Sequence, residues 1–404
     1  MRKKRFTAFA LFCTALFLCA CGPKGQGTVQ SGGNEENAQS TAENPAGYAP
    51  DQAKTDIPDF AAMHWEQGME LSYATRFRVE KSEEYYLITI VDSDRFLLVP
   101  EGFPFPEGVP EEVTLLQKPL EKLYIASSSV FDLIRQTDAL GNVRFSGTKS
   151  DSLYIPEVKA AMENGSILFA GKYSLPDYEL LLSQGCDLAV ENTMIYHNPT
   201  VKEKLESLGI PVWVEASSYE QHPLGRMEWI RLYGLLLDRQ KEADDFFNAT
   251  VEKLSPLLDR EKTGCRVAFF YINTNGAVNV RKPGDYIAKM IDLAGGEYVI
   301  TAKEEEENAL STMNMQMEDF YLAAKDADVI IYNSTITGTL DSVNELVEMN
   351  SLFEDFKAVR EGRVYCTDKN FFQETTAIGD LLEDLCRVVR YEDKTQFHQL
   401  IRLE

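Results

Sequence analysis

Apolar and polar positions change period block by block along this chain, and the changes follow an order. Tyr85–Val91 and Phe96–Val99 are β-rich runs, and Ser93-Asp94 between them reads as a hairpin turn. Pro104, Pro106 and Pro110 then mark a loop. Beyond it, short apolar runs trade places with amphipathic stretches. Strands are expected over Lys122–Ala126, Val143–Ser146, Ile167–Ala170, Asp187–Glu191 and Val212–Glu215. Helices are expected over Val130–Leu140, Pro156–Asn164, Pro176–Gln184 and Pro199–Leu208. Such alternation implies parallel βαβ units with helices on both faces. Right-handed crossovers make the lobe doubly wound.

From Pro223 to Glu261 the strand pattern stops. Trp229, Leu232, Leu235, Leu236, Phe246, Val251, Leu254 and Leu257 recur mostly at helical spacing, and Pro256 bends or ends the run. At 1.5 Å per residue such a helix reaches roughly 50 Å, enough to cross between two lobes. The alternative is two helices broken near Asp238. Alternation then resumes, with strands at Arg266–Ile272, Glu297–Ile300, Val329–Tyr332 and Arg363–Cys366. Helices are expected at Tyr286–Leu293, Glu318–Lys325, Val343–Val347, Phe353–Arg360 and Ala377–Tyr391. The expected fold is α/β, with two doubly wound Rossmann-like lobes (57–221 and 263–404) joined by a single long rigid helix (222–262).

The first 56 residues stand apart. Arg2-Lys3-Lys4-Arg5, an apolar stretch from Phe6 to Leu18, and Leu18-Cys19-Ala20-Cys21 form a secretory signal. The apolar part is too short to span a hydrocarbon layer of roughly 30 Å. The run resembles the lipobox of bacterial lipoproteins, which implies removal of residues 1–20 and lipidation of Cys21. Residues 21–56, rich in Gly, Gln, Asn, Glu and Ser, then read as a disordered stalk between lipid and folded body. The resulting location is the cell membrane, lipid-anchored, on the extracytoplasmic face.

Charge narrows the partners. The chain carries −24, and loss of the four basic signal residues takes the mature part to −28. A body this acidic repels phosphate backbones, so no nucleic acid is expected. Glu304-Glu305-Glu306-Glu307 reads as a solvated loop. Cys186, Cys265, Cys366 and Cys386 are far apart, with no CxxC and no nearby His pairs. They read as buried thiols, with a disulfide between two of them left open.

Three segments carry a family resemblance. Ser174–Val190 holds Pro176-Asp177-Tyr178-Glu179 before a helix and Asp187-Leu188-Ala189-Val190 before a strand end. Met317-Glu318-Asp319-Phe320-Tyr321, followed by Ala327-Asp328-Val329, repeats the theme. Asn350–Val364 carries Phe353, Ala358-Val359 and Gly362-Arg363-Val364. Together with Cys21 and the two lobes, they resemble the extracytoplasmic binding proteins of ABC importers for iron–siderophore, heme and cobalamin-type ligands. The resemblance implies that Glu179 and Glu318 meet the membrane subunits of an importer served by a cytoplasmic ATPase. It also implies a monomer without enzymatic activity or cofactor, whose cargo is a small-molecule metal complex, with ferric siderophore ahead of heme and corrinoid.

Ligands of open α/β sheets sit outside the carboxyl ends of strands. That rule nominates Ser127–Ser129, Thr148–Ser150, Lys172-Tyr173 and Thr193–Asn198 in the first lobe. In the second it nominates Asn273–Arg281, Thr312–Gln316 and Asn333–Thr337. Arg281 leads, because a guanidinium matches carboxylate or catecholate oxygens. Tyr196, His197, Lys172, Tyr173, Asn273 and Asn333 accompany it. Met313, Met315 and Met317 read as core along a strand-like stretch. Arg226 and His222 are expected in a structural salt bridge at the start of the long helix.

Two other functions compete with this one. A bare Zn²⁺ or Mn²⁺ receptor needs several His, Asp or Glu ligands, and the mature chain holds only His64, His197, His222 and His398. A lipid-anchored α/β hydrolase needs a nucleophile elbow such as G-x-S-x-G, which is missing from the sequence. No resident metal site is expected.

Overall fold

The charged run Phe77–Ser82 is a strand, although Arg78, Glu80 and Lys81 hide its alternation. It belongs to a five-stranded sheet ahead of the first α/β layer: β1 (Glu66–Gln67), β2 (Phe77–Ser82), β3 (Tyr85–Ile90), β4 (Arg95–Val99) and β5 (Val113–Gln117). Only β4 and β5 run parallel. The Ser93-Asp94 hairpin turn is present between β3 and β4. This is a computed structural model describing residues 57–301, 312–392 and 396–404. All of them fall in one unit, Gln52–Glu404. Cys21, the signal, residues 21–56 and Glu304–Glu307 lie outside the described residues.

The second sheet is all parallel. It is built from β6 (Leu123–Ile125), α1 (Val130–Gln136), β7 (Val143–Ser146), α2 (Pro156–Glu163) and β8 (Leu168–Phe169). A small hairpin, β9 (Gly171–Lys172) with β10 (Leu175–Pro176), precedes α3 (Tyr178–Gln184). Then come β11 (Leu188–Asn192), α4 (Pro199–Ser207) and β12 (Val212–Glu215). The spatial order β12-β11-β6-β7-β8 is the Rossmann order, with its switch point between β6 and β11.

The link to the next sheet is not one long helix. It is two: α5 (Pro223–Leu236) and α6 (Gln240–Leu258), packed against each other. Asp238 breaks the run at φ +57°, in the left-handed region. Gly234 lets the second helix fold back. A Cβ there would stand 2.6 Å from Ala243 Cβ and 2.9 Å from the Arg239 carbonyl oxygen. Pro256 sits inside α6.

The third sheet is mixed, which corrects the expectation of a second purely doubly wound layer. Parallel strands β13 (Arg266–Ile272), β17 (Val329–Tyr332) and β18 (Val364–Thr367) form its centre. Antiparallel strands β14 (Val278–Arg281), β16 (Thr312–Met315) and β19 (Leu400–Arg402) extend its two sides, and β15 (Glu297–Tyr298) pairs with the start of β13. The helices are α7 (Tyr286–Leu293), α8 (Met317–Ala324), α9 (Ser334–Thr337), α10 (Val343–Met349), α11 (Lys357–Arg360) and α12 (Ile378–Val388). Met313 and Met315 pack half-buried on β16, and Met317 is buried at the start of α8.

One hydrophobic core runs from β2 through α1, α5, α6 and α7 to α12. The two α/β layers therefore share a core across the α5 backbone. Polar contacts add to it. Asp132 of α1, fully buried, accepts from Thr376 N at 2.7 Å and Thr376 Oγ1 at 2.6 Å. Gln373 accepts from Tyr154 N and donates to Ser152 O, both at 2.8 Å. Cys186, Cys265, Cys366 and Cys386 are free and buried.

Candidate functional site

A cavity of about 210 Å³ lies where α5 meets the carboxyl ends of both α/β sheets. Ser218 reaches it from the turn after β12, and Arg226 from the start of α5. Arg281 closes β14, and Tyr286 opens α7. Phe371, Phe372 and Thr375 come from the segment after β18, and Ile378 opens α12. This is the crevice that the strand-end rule points to.

The segment 371–378 stays in place through the Asp132 and Gln373 bonds to the first α/β layer. Tyr298 fixes the backbone of Arg281 by accepting from its N at 3.1 Å and donating to its O at 2.9 Å. Asp285 caps α7 by accepting from Ile287 N and stands 3.5 Å from the Arg281 guanidinium. Burial works against the Arg281 charge, but Tyr286 and Asp285 outweigh it and raise the pKa. The Arg226 guanidinium carbon lies 4.1 Å from the centre of the Tyr286 ring, and that of Arg281 lies 5.8 Å from it. Two cations thus share one aromatic wall.

Arg226 departs from expectation. Among the described residues it makes no ion pair, and its Nε is buried without a hydrogen-bond partner. His222 forms no salt bridge either. Its Nδ1 accepts from Leu224 N at 3.2 Å, capping α5, and its ring stacks on Tyr73 at 4.7 Å. Burial, with nearby Lys289, lowers its pKa to about 4. A neutral ring suits the capping role.

Of the expected ligand residues, Arg281 lines the cavity and the other six do not. Tyr196 and His197 are exposed after β11, and Tyr196 Oη is 2.9 Å from Ser93 Oγ, toward the first sheet. Lys172 is exposed and Tyr173 half-buried, on the β9–β10 hairpin. Asn273 Oδ1 accepts from Asn275 N and Ala277 N, which closes the β13–β14 turn. Asn333 is buried, and its Oδ1 caps α9 through Thr335 N and Oγ1. Both asparagine oxygens are therefore spent on local turns. Glu179 and Glu318 are exposed in the first turns of α3 and α8. Among the described residues no three His, Cys, Asp or Glu side chains gather as a metal site.

Phe371 and Phe372 were missed. They follow the strand read at Arg363–Cys366, and the strand-end rule applied there would have nominated them. The aromatic pair was the available signal. Tyr286 was read only as a helix start.

Two α/β layers share one core, and a cavity lies at their strand ends. Residues 143–371 match the periplasmic binding protein family, and the chain belongs to it. It is a substrate-binding protein, not an enzyme. An uncharacterized lipoprotein of Methanocaldococcus jannaschii is 24% identical over 301 residues, covering 72% of this chain and 70% of its own length. The crystal structure of a periplasmic heme binding protein from Pseudomonas aeruginosa shares the fold at TM-score 0.55 and 14% identity, covering 70% of this chain and 98% of that one. The structure of an ABC-type Fe3+-hydroxamate transport system from Saccharomonospora viridis does so at TM-score 0.50 and 20% identity, covering 67% and 93%.

Proposed function

We propose that this protein is lipidated at Cys21 on the extracytoplasmic face of the cell membrane and works as the cargo receptor of an ABC importer. Residues 57–221 and 263–404 act as its lobes. The cargo is an iron complex, a ferric siderophore before heme or a corrinoid, held between the lobes as a monomeric 1:1 complex. The observation that carries this reading is the inter-lobe cavity with Arg281 on its wall. The named relative supports the anchor, since it is a lipoprotein. The two solved structures support the cargo class through their heme and Fe3+-hydroxamate titles.

Glu179 and Glu318 dock on the importer. Their first-turn positions favour carboxylates, and charge pairs at an interface chiefly set orientation and on-rate. Glu179→Arg with Glu318→Arg abolishes uptake and leaves cargo affinity intact; normal uptake by that variant removes the docking assignment. Cys21→Ser releases or mislocalises the protein without harming the cavity. Intrinsic fluorescence quenching by ferric siderophores, heme and cobalamin tests the cargo. Tight binding of one class supports the reading, and no binding by any overturns it.

A further inference from the structure

We infer that the cargo is an anionic aromatic complex, gripped through its oxygens by Arg226 and Arg281 together. This rests on the cavity being the cargo site. Three observations support it.

The first is uncompensated charge. Arg226 and Arg281 flank the same Tyr286 ring, yet only Arg281 forms an ion pair among the described residues, at a long 3.5 Å. Two neighbouring cations with one ion-paired carboxylate carry net positive charge inside a chain of −24. An anion entering the cavity relieves that repulsion, whereas a cation adds to it. Glu215 feels the Arg226 charge, which works to lower its pKa, but forms no ion pair with it among the described residues. It is fully buried and accepts from Ser217 N at 2.7 Å, and burial pushes its pKa up toward the neutral form.

The second is the free donor. Arg226 lines the cavity, its Nε is buried without a partner, and a guanidinium offers a planar fork that fits carboxylate or catecholate oxygens. The third is the rim. Exposed Phe372 and exposed Tyr154 meet edge to face at 6.3 Å, one from each α/β layer. Phe371 lies buried behind them on the cavity wall. These rings suit an aromatic plane next to the arginines. Ferric catecholates and heme, with its carboxylates, share this chemistry. Cationic hydroxamates and corrinoids do not.

The test is a calorimetric titration of the full-length chain in detergent with four probes. A ferric catecholate complex and heme carry negative charge on aromatic ligands, ferrioxamine B is a cation, and cyanocobalamin is a bulky neutral corrinoid. The expected result is tight binding of ferric catecholate or heme, weakening as salt rises. Arg226→Met and Arg281→Met should each weaken it about tenfold or more. Arg→Lys at either site should retain part of the affinity, and thermal melts check that each variant is folded. Tight binding of ferrioxamine B or cyanocobalamin alone overturns this inference and leaves the cargo reading standing. So does unchanged affinity in folded arginine variants. No binding by any probe overturns the cargo reading itself.

Discussion

Glu228 and Arg226 sit two residues apart on α5 and live in opposite circumstances. Glu228, fully buried, accepts from Ser72 N, Tyr73 N and Ala74 N at 2.7–2.8 Å. Just before α5 begins, buried Glu220 accepts from Thr75 N, Arg76 N and Trp229 Nε1. Gly225 allows the clamped segment to approach, since a Cβ there would stand 2.9 Å from the Tyr73 carbonyl oxygen. Arg226, facing the cavity, has a donor with no partner. On α5 the Glu228 carboxylate is saturated where it holds the fold, whereas the Arg226 Nε, at the cavity, and the Tyr233 hydroxyl, away from it, are buried without partners.

Glu191 is the hard case for that contrast. It is buried on β11 with both carboxylate oxygens unpartnered, yet it does not line the cavity. Burial raises its pKa to about 8 from 4.5. The folded state therefore holds a proton that the unfolded chain releases above pH 4.5. Stability contributed by this group is full below that pH and is lost as pH rises through about 8. The loss is up to about 5 kcal/mol. Urea unfolding of wild type and Glu191→Gln across this window should differ by that slope. Parallel curves would mean that Glu191 is partnered after all.

Glu228→Ala should cost about 3–5 kcal/mol, because buried N–H groups lose a charged acceptor. Urea unfolding measures it, and cargo affinity of the folded fraction should hold. A loss under 1 kcal/mol would break the contrast from the structural side. Asp132→Asn should cost about 2–3 kcal/mol by weakening the bond to Thr376 that joins the two layers. Gly234→Ala is the smallest effect, about 1–2 kcal/mol net: the close approach to α6 outweighs the gain in helix propensity. A stabilised Gly234→Ala protein would show that the α5–α6 turn yields easily.

Much of this architecture was legible because its signals are local. Strands such as Val329–Tyr332 and Val212–Glu215 are continuous apolar runs, and their observed bounds match the expected ones. The β2 strand was not legible, because the charged residues Arg78, Glu80 and Lys81 hide its alternation. The break at Asp238 is easy to miss, since helical spacing of apolar residues continues on both sides of it. Of the expected ligand residues only Arg281 lines the cavity. Asn273 and Asn333 mark strand ends correctly, but turn chemistry uses their oxygens. Arg226 looked like a structural residue because a helix start usually supplies an ion pair, and only the fold reveals that it forms none among the described residues.

The most direct measurement is a structure of the full-length protein with the tightest-binding probe bound. The account places the probe between the α/β layers, with its anionic oxygens on Arg226 and Arg281 and an aromatic plane against Phe372 and Tyr154. A probe bound elsewhere, or seated in the cavity with neither guanidinium in contact, would contradict it.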